Sequence, residues 1–83
     1  MEKIKGIIVP AGWDETGKVV DVAISTRNEE EYLIHKNEKG EELLAHQREE
    51  VELEGFLEKK KNGQVIVVNN YHLTSSFRSH AVF

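Results

Sequence analysis

Trp13 and the run Lys59-Lys60-Lys61 are the residues of this chain whose types suit recognition chemistry best. An indole offers a flat apolar face on which a nucleobase stacks, worth roughly 1 to 3 kcal/mol per base. Three consecutive ammonium groups are point charges that displace counterions from phosphates. Each feature also has a plainer use. A Trp supplies apolar area to a small core, and lysines at a hairpin tip or sheet edge discourage strand pairing between molecules.

The residues that could do catalysis or bind metal are present without the spacing that either needs. His35, His46, His72 and His80 form no HExxH pair, and the chain has no cysteine, so thiolate zinc sites and cysteine nucleophiles are excluded. Glu29-Glu30-Glu31, Glu41-Glu42 and Glu49-Glu50 are adjacent in sequence. Adjacent strand residues point to opposite faces, which does not build a paired-carboxylate site. Ser25, Ser75, Ser76 and Ser79 lie outside any GxSxG elbow, and no glycine-rich phosphate loop occurs. The expectation is a non-enzyme with no catalytic residue, no metal and no cofactor.

Eighty-three residues make one domain, spanning 1–83. A chain of this length hides only roughly 60 to 65 per cent of its unfolded surface, so its core must be a compact barrel or two layers. The net charge of −4 conceals an asymmetry. All fifteen acidic residues lie at or before Glu58, whereas the basic residues after it are Lys59, Lys60, Lys61 and Arg78. Net acidity disfavours phosphate overall, but a local basic patch retains its own field. The start, MEKIKGIIVPAG, has too short an apolar run for a signal peptide, and no stretch approaches the roughly eighteen apolar residues of a membrane span. With no cysteine, a cytoplasmic protein without membrane contact is expected.

The elements that position these residues follow from period-two alternation. IKGIIVPAGW, residues 4–13, reads as a long first strand, in which Pro10 requires an edge, a bulge or a strand end. DETG is a turn. KVVDVAISTR alternates Val20, Val22 and Ile24 against Asp21, Ala23 and Ser25, and EEYLIHK forms its hairpin partner. Residues 37–47, NEKGEELLAHQ, hold helix formers with Leu43 and Leu44 as a short apolar face. REEVELEGFLEKK is the clearest strand, alternating Val51, Leu53, Gly55 and Leu57 against glutamates and Phe56. Asn62-Gly63 is a strong hairpin signal leading into QVIVVNNYHL. The remainder, 74–83, is a tail that extends this last strand, docks on the barrel or frays.

This order of three strands, a short helix and two more strands resembles the OB-fold, the five-stranded Greek-key barrel with a helix between strands three and four. The resemblance covers residues 4–73. It is carried by GIIVPAGWD, the hairpin KVVDVAISTRNEEEYLIHK, the helix GEELLAHQ and the hairpin VELEGFLEKKKNGQVIVV. A small SH3-like barrel is the competing architecture, and the helix placement favours the OB-like one. The resemblance implies a ligand face on strands two and three, flanked by the loops Trp13 to Lys18 and Glu58 to Gln64. On this chain that face carries Asp21, Ala23, Ser25, Arg27, Leu33 and His35.

Two partner classes suit such a domain. In the first, single-stranded DNA or RNA stacks on Trp13 and meets phosphate contacts from Lys18, Arg27, His35, Lys59, Lys60 and Lys61. In the second, the chain is a protein-interaction or accessory module that uses a strand edge or the acidic face of strand four.

Overall fold

Ile8, Val22, Ile24, Ile34, Val51, Leu53, Ile66 and Val68 come from five segments, and together with Leu43 they form one core cluster. Each such aliphatic side chain contributes about 1.5 to 3 kcal/mol when removed from water. A computed structural model describes residues 1–61 and 63–74. Its elements are β1 (Glu2–Trp13), β2 (Val19–Thr26), β3 (Glu31–Ile34), α1 (Glu38–Glu42) with a 3₁₀ turn at Leu43–His46, β4 (Glu50–Lys60) and β5 (Gly63–Leu73). The expected tail lies outside the described residues apart from Thr74, whose N–H donates to the Glu50 carbonyl.

The strands close into a barrel in the order β1-β2-β3-β5-β4, with β4 returning to β1. Only β3 and β5 run parallel. The fold is therefore the expected all-β, five-stranded barrel, with its short helix between β3 and β4.

β1 is shared between two neighbours. Its first half pairs with β4 from Glu2↔Gly55 to Ile7↔Glu50, and its second half pairs with β2 from Gly6↔Thr26 onward. The overlap falls at Gly6, where a Cβ would collide with the Ser25 carbonyl; only glycine allows the two strands this close. Pro10 lies past the last β1–β4 pair and just before a register shift, so its missing N–H leaves no ladder bond unmade.

The helical segment covers the expected residues but divides into α1 and the 3₁₀ turn. A single α-turn is too short to be stable by propensity, so packing holds it. Asn37 caps it, its Oδ1 accepting the Gly40 N–H at 2.8 Å and its Nδ2 donating to the Val68 carbonyl at 3.2 Å. The fully buried Leu43 belongs to the barrel core, and Leu44 packs against it. β3 is shorter than the expected 30–36, although the His35 N–H still donates to the Ile66 carbonyl. Among the described residues no helix is long and apolar enough to cross a membrane.

Candidate nucleic-acid interface

Alternation that puts Ile8, Ile24, Ile34 and Ile66 inside the barrel puts their neighbours outside. The registers align four of these outward residues in one row across four strands: Val9 opposite Ala23, Ala23 opposite Leu33, and Leu33 opposite Val65. Ala23 and Val65 are buried, whereas Leu33 is 42% exposed. One step toward the amino end of β1, Ile7 is 45% exposed. The apolar surface on the face that the resemblance singled out is thus presented chiefly by Leu33 and Ile7.

One end of this face is the β1–β2 loop. Trp13 pairs with Val19 at its base and is 58% exposed. The turn is tied together by Asp14, whose Oδ1 accepts the Thr16 hydroxyl at 2.7 Å, the Thr16 N–H at 2.9 Å and the Lys18 N–H at 3.0 Å. These bonds, the Thr16 hydroxyl foremost and the Lys18 amide next, hold the Asp14 carboxyl below its ordinary pKa. The indole therefore stands beside an internally bonded loop. Lys18 is exposed and joins no ion pair among the described residues.

Lys59, Lys60 and Lys61 sit at the end of the β4–β5 hairpin, with Lys59 opposite Gln64 and Lys60 opposite Gly63. Lys59 and Lys60 are strand neighbours that point to opposite sides of the ribbon, and Lys60 Nζ lies 3.3 Å from Glu58 Oε1. The hairpin also projects past the barrel wall. β1 pairs with β4 only as far as Gly55, and β3 pairs with β5 only from Val65 onward. On this projection Phe56, opposite Val67, is 51% exposed.

The registers settle how the two loops are related. Moving from Val65 toward Gly63 follows β3 from Leu33 toward Glu31, and hence β2 from Ala23 toward Ser25. Lys18 lies beyond the other end of β2. At about 3.3 Å per residue, Lys18 and the lysine run flank the face from opposite ends, roughly 20 to 30 Å apart. The two loops do not converge into one phosphate cluster.

Of the remaining candidates, Arg27 begins the β2–β3 loop and His35 follows β3; both are exposed. Asp21 is neutralised in part by Lys36 at 3.5 Å. Tyr32 and Tyr71 pack against the core and donate their hydroxyls to Glu30 at 2.9 Å and Glu42 at 2.8 Å. His46 contacts Glu49 at 3.1 Å and His72 contacts Glu52 at 3.3 Å, as separate pairs. Among the described residues no three His, Asp or Glu side chains are grouped to hold a metal.

Sequence reasoning missed Lys5 and Ile7. Both line an open concavity of about 600 Å³ on the outside of β1 and β2, together with Val9, Ser25 and Arg27. Alternation alone would place Lys5 and Ile7 on one outward row, but only the register brings that row to Ser25 and Arg27. Comparison with protein-family models, with curated proteins and with solved structures returns no match to this chain.

Proposed function

We propose that this chain is an OB-fold domain of the cytoplasm that binds single-stranded nucleic acid weakly and catalyses no reaction. The observation that carries the reading is the exposed Leu33 in the outward row Val9–Ala23–Leu33–Val65 of the sheet. At one end of that face stands the exposed Trp13, and cations flank it at both ends. Bases are accommodated by stacking on Trp13 and by apolar contact with Leu33. Lys18 serves the phosphates at one end, and Arg27, Lys59 and Lys61 serve them at the other. His35 borders the same face. Interleaved carboxylates at Asp21, Glu31 and Glu58 limit the affinity to the nonspecific range of roughly 10⁻⁴ to 10⁻⁶ M.

The test is a titration of Trp13 fluorescence with dT12 and U12 at rising salt. Quenching that weakens steeply with salt is expected, and Lys59→Glu/Lys60→Glu/Lys61→Glu should flatten that dependence. Affinity unchanged in the triple variant and insensitive to salt would remove the assignment.

A second reading, a protein-interaction module, is favoured by the projecting hairpin. Phe56 lies on the part of β4 that has no ladder partner on its β1 side, next to Val67. Such an edge accepts an extended segment by strand addition. Under that reading Phe56→Ala impairs binding, and exchanging the three lysines matters little.

A further inference from the structure

The β1–β2 ladder ends at the pair Gly6 and Thr26, and Lys5 and Arg27 are the next residues, one on β1 and one opening the turn after β2. Both line the concavity on the outside of β1 and β2. Like charges gathered on one concavity repel. Among the described residues neither cation has a carboxylate within ion-pairing distance. Carboxylates nonetheless border the pair: Glu2 and Glu30 line a second concavity with Lys5 and Arg27, and Glu50 lines this one. Glu52, opposite Lys5, lies 3.3 Å from His72, and Glu50, which also lines the concavity, accepts the Thr74 hydroxyl at 3.0 Å.

We infer that Lys5 and Arg27 form an anion subsite that holds one phosphate of a nucleic-acid strand laid across β1 and β2. A phosphate between the two cations converts a repulsion into two charge-assisted contacts, and the planar guanidinium can present two N–H groups to it. Ser25, opposite Ile7, adds a hydroxyl on the same wall, and the exposed Ile7 offers apolar surface to the adjoining sugar or base. The subsite lies toward the lysine hairpin end of the face, so a strand leaving it crosses Leu33 on the way to Trp13. The inference rests on the nucleic-acid reading and adds to it the phosphate position that the loop lysines leave open.

The experiment compares wild type with Lys5→Gln, Arg27→Gln and the double variant, using dT12 as one probe and inorganic pyrophosphate as the other. Amide NMR spectra establish that each variant keeps the fold. Each single change is expected to weaken dT12 binding roughly tenfold at low salt and to reduce the salt slope by about 0.7. The double variant should lose less than the product of the two, because both cations serve one phosphate. Pyrophosphate should shift the amides of Ile7, Ser25 and Arg27 in wild type and leave the double variant unmoved. If dT12 binds wild type and double variant alike with one salt slope, the subsite is wrong while the nucleic-acid reading stands. If dT12 fails to bind wild type but pyrophosphate still moves those amides, the anion site stands and the nucleic-acid reading falls. Pyrophosphate shifts that are identical in wild type and double variant, or absent from both, overturn the subsite.

Discussion

Ala23 and Leu33 stand opposite each other across the β2–β3 ladder, both turned away from the barrel core. Ala23 is buried while Leu33 is 42% exposed, so the smaller residue forms the floor and the larger one stands above it. Leu33→Ser is expected to cost about 1 kcal/mol of stability, since the residue is 42% exposed and part of its apolar surface is covered. The same change should weaken oligonucleotide binding several-fold. Thermal melts beside Trp13 titrations check both parts, and a large loss of stability would mean that Leu33 packs rather than binds.

Gly55 makes a contrary prediction. It lies at the register shift between Glu54 and Gly55, where a Cβ would collide with the Val67 carbonyl. The atoms it would meet are backbone of β5 at Val67 and Val68, which cannot yield as a flexible side chain would. Gly55→Ala should cost about 3 kcal/mol or more, seen as a large fall in the urea midpoint.

Asn37 performs two tasks with one amide. Its oxygen caps α1 at Gly40, and its nitrogen ties that cap to β5 at Val68. Asn37→Ala should cost about 2 kcal/mol, the sum of a lost cap and a lost interior donor. Asn37→Asp keeps the cap acceptor and should cost about half as much. Equal losses in the two variants would show that the link to Val68 is the only one that matters.

Asp14 sets an acid limit on the order of the β1–β2 loop. Its carboxyl pKa is lowered in the folded chain by the Thr16 hydroxyl and the Lys18 and Thr16 amides. A depressed folded value stabilises the fold above the unfolded pKa, and this contribution is lost as pH falls through the folded value. The loop should therefore hold at neutral pH and loosen only below the ordinary carboxylate range. An NMR titration of the Asp14 carboxyl should give a value below 3.8. Asp14→Asn should remove this part of the acid dependence, and a wild-type titration at or above 3.8 would contradict the bonded turn.

The strands, the short helix and the Asn-Gly connection were legible in the sequence because each depends on local periodicity and on backbone preferences within a few residues. KVVDVAISTR and REEVELEGFLEKK show their inner and outer faces without reference to anything distant. The same locality explains what was not legible. Whether Lys18 meets the lysine run, whether Lys5 meets Arg27, and whether Val9, Ala23, Leu33 and Val65 form one row depend on register between strands far apart in the chain. A shift of one residue exchanges the faces of a whole strand. The buried side of each strand resists such a shift, since it would carry the apolar row into solvent. Local pattern thus determined which residues could face outward, and the closure of the barrel decided which of them are neighbours.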